Sequence, residues 1–101
     1  MWLFAMFDCP VETKIQRREA AKFRKYLLAE GFMMLQYSVY CRYCRTDDIA
    51  SNHKTKMESH LPPEGEVRVF WVTDRQFGLM KVFFGRNLED VEEAPKQLLL
   101  F

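Results

Sequence analysis

The sequence predicts an α+β domain: one antiparallel sheet with two helices packed on one of its faces. Three observations lead there. The chain opens on an apolar run, it contains two stretches with helical spacing, and stretches of period-two alternation lie between and after those helices. With 101 residues the chain suffices for one core, so a single domain over 1–101 is expected, with 86–101 as a C-terminal extension. A hydrophobic fraction of 49%, with aromatics making up 15% of the chain, excludes a disordered chain and predicts an aromatic core.

Trp2, Leu3, Phe4, Ala5, Met6 and Phe7 lead into Asp8 and, two residues on, Pro10. Leu3, Ala5 and Phe7 would point to one face and Trp2, Phe4 and Met6 to the other. Both faces are apolar, which places the strand in the middle of its sheet. Pro10 has no backbone N–H and restricts Cys9, so the strand ends there and Asp8 emerges at its carboxyl end. Asp8 is either a strand-terminating residue or a candidate site.

Residues 13–30 have helical spacing, with Ile15, Ala20, Phe23, Tyr26 and Leu27 on one stripe, Thr13 and Gln16 as a capping box and Gly31 as the stop. Lys14, Arg17, Arg18 and Lys25 fall opposite Phe23, flanked by Lys22 and Arg24. That basic face is either a solvated surface or a phosphate contact. Residues 32–43 alternate, with Met33, Leu35, Tyr37, Val39 and Cys41 on one face. Twelve residues exceed a usual strand, which predicts a bend or split near Gln36 to Ser38. From Thr46 to Leu61 helical spacing returns, with Ile49, His53, Met57, His60 and Leu61 on one side.

Pro62 and Pro63 stop that helix. Val67, Val69 and Trp71 alternate with Arg68, Phe70 and Val72, and FGLMKVFF over 77–84 reads as a partner strand, which makes 67–84 a hairpin with Asp74 and Arg75 in its turn. Residues 86–97 are polar and acidic. Leu98, Leu99, Leu100 and Phe101 then follow as an apolar terminus expected to dock on a partner or a dimer mate. Strand, helix, split strand, helix, strand is the order of a ferredoxin-like sandwich, βαββαβ with additional C-terminal strands. The face away from the helices would carry Trp2, Phe4, Met6, Phe70 and Phe84. A sheet-to-sheet homodimer covers it most simply.

The net charge is +1, but residues 1–60 hold ten Lys or Arg against seven acids and residues 61–101 five against seven, so the amino-terminal part is the basic one. Three cysteines argue against a disulfide framework. Cys41 and Cys44 would face opposite ways in a strand, and with His53 and His60 they make only a poor zinc set. The opening apolar run is too short for a membrane span and lacks a preceding basic residue, so a cytoplasmic protein without membrane contact is expected.

Several ordered stretches together resemble one family: MWLFAMFD at the start, FRKYLLAEGFMMLQYSVYCR in the middle, LPPEGEVRVFWVTDRQFGLM after the second helix, and PKQLLLF at the end. They are similar to CRISPR-associated protein two, the small partner of the CRISPR integrase, and most of all to members from type II systems. The resemblance implies a ferredoxin-like homodimer that bridges dimers of the integrase, CRISPR-associated protein one, and supports double-stranded DNA during spacer acquisition. It also implies an endonuclease dependent on Mg2+, acting on single-stranded RNA or on DNA through the carboxylate that ends the first strand, here Asp8. The family often has Tyr before this Asp and an aliphatic residue after it. Phe7 and Cys9 stand there in this chain, and Phe7 removes a hydroxyl that could orient a water.

Metal-assisted phosphodiester cleavage needs a cation held by carboxylates. One Asp8 is too few, so the nuclease reading requires a dimer axis that brings two Asp8 residues to one Mg2+. Asp74, in a T-D-R-Q turn, is the rival acid, and no His is placed as a general base. A scaffold without catalysis is the competing reading, with Lys14, Arg17 and Arg18 tracking phosphates. A stand-alone, toxin-like metal-dependent ribonuclease is the alternative. A metabolic regulator that binds a small molecule lacks a glycine-rich loop.

Overall fold

A computed structural model describes residues 1–85. The elements follow in the order β1 (Trp2–Asp8), α1 (Lys14–Ala29), β2 (Met33–Gln36), β3 (Val39–Tyr43), α2 (Asp47–Glu58), β4 (Glu66–Val72) and α3 (Asp74–Gly78). The sheet runs β2-β3-β1-β4 with all neighbours antiparallel. That is the ferredoxin-like arrangement, and β1 lies inside the sheet as its unbroken apolar run requires.

Period-two alternation decides which side chains meet the helices. Leu3, Ala5 and Phe7 of β1 join Phe23 and Leu27 of α1 and Ala50 and Met57 of α2 in one buried cluster, so both helices cover the same face. Phe7 meets the Phe23 ring edge-on at 5.1 Å. Burial of each large apolar side chain here contributes about 1.5–3 kcal/mol as an upper figure.

The ends of α1 are set locally. The Thr13 hydroxyl accepts from the Gln16 N–H and the Gln16 side chain accepts from the Thr13 N–H, a reciprocal capping box. At the other end Gly31 takes φ +87°, while Gly31 N–H donates to Leu28 O and Phe32 N–H to Leu27 O. Those two bonds form a Schellman motif that satisfies the last carbonyls. Ile15, expected on the buried stripe, is 68% exposed instead, because the first turn of α1 projects past the sheet-side cluster.

The long alternating stretch divides at Tyr37 and Ser38, where Ser38 adopts φ +65° and the β2–β3 register shifts between Met34 and Gln36. The shared face expected for residues 33–41 is broken there. Tyr37 lies exposed in the turn, and Tyr40 rather than Val39 enters the helix-side core. Helix α2, capped by Thr46, ends at Glu58, short of the expected Leu61. Leu61 is exposed, and the His60 ring stacks on Tyr26 at 4.2 Å.

The hairpin expected over 67–84 does not form. Thr73 and Gln76 make a second capping box, Asp74 occupies the first turn, and the chain enters α3, after which residues 79–85 form no strand. The short helix lays Phe77 on Trp2, with rings stacked at 4.0 Å, and against Phe4 at 6.1 Å. The sheet face opposite α1 and α2 is therefore partly covered at the Trp2 end. Further along that face Met6 and Phe70 remain 36% and 38% exposed. The acidic stretch and the apolar residues Leu98, Leu99, Leu100 and Phe101 lie outside the described residues.

Candidate functional site

Three connections meet where β1 ends. Asp8 pairs across the ladder with Glu66, the first residue of β4. Residues directly opposite in an antiparallel pair share a face, so both carboxylates emerge on the side that carries Phe4 and Met6, away from the two long helices. Both are exposed.

The backbone around Asp8 is held from three sides. Gly65 has φ +99°, and a Cβ there would come 2.5 Å from the Asp8 carbonyl oxygen and 2.9 Å from Cys9 Cα, so only glycine lets this turn press on the end of β1. The Gln16 side-chain oxygen Oε1 accepts from the N–H groups of Glu12 and Thr13 at 3.0 Å each, and its Nε2 donates to the Glu64 carboxylate at 2.9 Å. The loop after Asp8 and the turn before Glu66 are thus tied to one side chain. On the other flank the Ser38 carbonyl accepts from the Phe7 N–H at 3.0 Å.

A cleft of about 260 Å³ opens here, with Asp8, Glu66, Arg68, Tyr37 and Ser38 on its walls. The Arg68 guanidinium donates from Nε to the Glu66 carboxylate, which places a cation beside the two acids. Among the described residues no three His, Cys, Asp or Glu side chains converge on a metal position. One chain therefore offers two neighbouring carboxylates rather than a full ligand set.

Asp74 does not belong to this site. Its carboxylate accepts from the Met1 ammonium at 2.7 Å, at the opposite end of β1, roughly 20 Å from Asp8 given the rise of a strand. The basic trio on α1 divides as well. Lys14, Arg17 and Arg18 are all exposed, and Arg17 in addition donates from one guanidinium nitrogen to the carbonyls of Val11 and Glu12 at 3.0 and 3.1 Å. Arg17 thereby secures the loop between Asp8 and α1. Cys44 joins the helix-side core while Cys41 sits across from Phe4, and burial pushes the Cys41 thiol up to about 11. Both act as small apolar side chains.

Glu66, Gly65 and Arg68 escaped the sequence reading as site residues. The signal was present in Glu64-Gly65-Glu66: a turn opening a strand antiparallel to β1 sets its first residue beside the last residue of β1. Only the register shows which acid that is.

Residues 1–80 match the family described as CRISPR associated protein Cas2. The chain belongs to the Cas2 family. A relative from Parvibaculum lavamentivorans, named CRISPR-associated endoribonuclease Cas2, is 46% identical over the full length of both chains. One of the same name from Flavobacterium psychrophilum is 39% identical across all of this chain and 88% of its own. The crystal structure of Streptococcus pyogenes Cas2 at pH 6.5 superposes with a TM-score of 0.60, covering 82% of this chain and 100% of that one at 16% identity. At that identity the likeness supports the fold alone, and it agrees with the ferredoxin-like Cas2 architecture. No helix among the described residues is long and apolar enough to cross a membrane.

Proposed function

We propose that this Cas2 protein serves CRISPR adaptation as a homodimer. Its sheets pack face to face, its two Asp8 carboxylates hold one Mg2+ for cleavage of single-stranded RNA, and the dimer carries double-stranded DNA while bridging the integrase, CRISPR-associated protein one. The observation that carries this reading is the placement of Asp8. It is exposed, and it lies on the same sheet face as the uncovered Met6 and Phe70, so a partner docking on that face through an axis near the end of β1 brings a second Asp8 to the first.

The donor chemistry fits the ion. Carboxylate oxygens are the hard ligands Mg2+ takes, and two chains supply two Asp8 side chains, with Glu66 as each one's ladder neighbour. When bound, the ion contributes Lewis acidity toward the phosphodiester. The protein's own share is to hold Asp8 in place through Gly65, Gln16 and Ser38, and to present Arg68 to an approaching phosphate. For duplex DNA, Lys14 and Arg18 offer the cations, and Arg17 keeps the intervening loop in shape. Such contacts are indifferent to base sequence.

The test is a pair of assays on the full chain. RNA cleavage should require Mg2+, stop with chelator and stop in Asp8→Asn, while the same variant should still shift duplex DNA and support spacer integration by the co-purified integrase. Cleavage that survives Asp8→Asn moves the nuclease site elsewhere. Loss of integration in a folded, integrase-binding Asp8→Asn protein overturns the separation of the two roles.

A further inference from the structure

Tyr37 stands at the tip of the turn between β2 and β3 with 74% of its surface exposed, and the Arg24 guanidinium of α1 lies 5.7 Å from its ring centroid. The turn itself is not loose. Ser38, in the left-handed region at φ +65°, sends its carbonyl to the Phe7 N–H at 3.0 Å, one residue before Asp8. Tyr37 and Asp8 accordingly line the same cleft, with Arg68 on its wall.

An aromatic ring with a cation over one face and solvent over the rest has a free π surface. Stacking on such a ring is how proteins engage unpaired bases, and it tolerates any base because every base has a π face. The arginine adds positive charge where a phosphate chain would pass. We propose that Tyr37, backed by Arg24, is the stacking platform for an unpaired base of the single-stranded RNA whose phosphate is placed at Asp8. This rests on Asp8 being the cleavage site and assigns the base-binding half of that site. A base held in a duplex cannot reach the ring, so the platform confers a preference for single strands.

The experiment measures equilibrium binding of a short labelled single-stranded RNA, and of the same sequence as duplex RNA, to the full-length Asp8→Asn protein, which leaves the RNA uncut. Adding Tyr37→Ala should weaken single-strand binding about tenfold, the order that base–aromatic stacking supplies. Adding Tyr37→Phe should keep most of the affinity, Arg24→Gln should fall between, and duplex binding should stay unchanged. Because Tyr37 is exposed in a turn, an unchanged thermal midpoint verifies that each variant is folded. Equal affinity of Tyr37→Ala and its parent overturns the platform. So does an equal loss in Tyr37→Phe, which would make the hydroxyl the contact, or an equal loss on duplex RNA. Wild-type cleavage rates in Asp8→Asn would overturn the reading of Asp8 and leave the stacking to be judged by the affinities alone, whereas a parent that binds no single strand overturns both.

Discussion

At the scale of single residues, the end of β1 depends on what its neighbours leave out as much as on what they bring. Gly65 is the clearest instance: a methyl group there would collide with the Asp8 carbonyl, and φ +99° disfavours any side chain. Gly65→Ala should lower stability by about 1–3 kcal/mol, read from the urea midpoint, and should abolish cleavage more completely than the stability loss explains, because the turn must retreat from Asp8. The basic residues of α1 separate by the same kind of detail. Replacing Lys14 and Arg18 together with Ala should weaken duplex DNA binding alike for all sequences and reduce the salt slope by about two, with the melting temperature unchanged. Arg17→Ala should instead lower the melting temperature, since its guanidinium holds the Val11 and Glu12 carbonyls. An Arg17→Ala protein with wild-type stability would return Arg17 to the phosphate contacts.

Among the elements, α3 and the junction of α1 with α2 carry the next predictions. Helix α3 is short and leans on its Thr73 cap, so Thr73→Ala should cost about 1 kcal/mol of that helix's stability and loosen Phe77 from Trp2, seen as a red shift in tryptophan emission. The Glu30 carboxylate accepts from Lys56 Nζ at 2.8 Å and faces His53 Nδ1 at 3.5 Å, tying the end of α1 to α2. The hydrogen bond from Lys56 holds the Glu30 carboxyl below its usual range, so its contribution is complete above about pH 4.5 and is lost as pH falls through the lowered native value. Burial, reinforced by the Arg42 charge, lowers His53 despite the nearby Glu30. The fold thus favours neutral His53, and stability should already decline as pH drops below about 6.5. Thermal melts between about pH 7 and pH 4 should show both losses, and His53→Gln should remove only the upper one. A flat melting temperature across that range would mean that neither group is linked to folding.

For the whole molecule, the proposed assembly rests on the uncovered half of the second sheet face. Met6 and Phe70 stand open where α3 does not reach, and burying them against a second copy is the simplest way to take them out of water. Met6→Lys should leave the far-ultraviolet spectrum intact and yield a monomer by light scattering at micromolar concentration, with RNA cleavage lost because one Asp8 lacks its mate. A wild-type protein that is itself monomeric under those conditions removes the basis of the shared metal site. Deleting Leu98 to Phe101 should weaken the dimer or its hold on the integrase, and unchanged behaviour in both would mean that these residues dock nowhere.

The order of the elements from β1 through β4, the interior position of β1 and the arrival of Asp8 at its carboxyl end were legible in the sequence. Each follows from local chemistry: a two-sided apolar run, a proline that denies a hydrogen bond, a capping pair at Thr13, and a glycine that closes a helix. The T-D-R-Q stretch reads along the chain as a hairpin turn before an apolar strand, but Thr73 and Gln76 cap a helix there, and α3 forms because its first turn satisfies backbone donors at once whereas a strand would need a distant partner. Which acid stands beside Asp8 was not legible. Asp74 and Glu66 look alike along the chain, and only the antiparallel register of β1 with β4 sends one to the Met1 ammonium and the other to the cleft. The engagement of Arg17 and the pairing of Tyr37 with Arg24 were likewise decided by the tertiary structure, because a side chain's partner depends on where loops and turns bring backbone and rings together, and residue spacing carries no record of that.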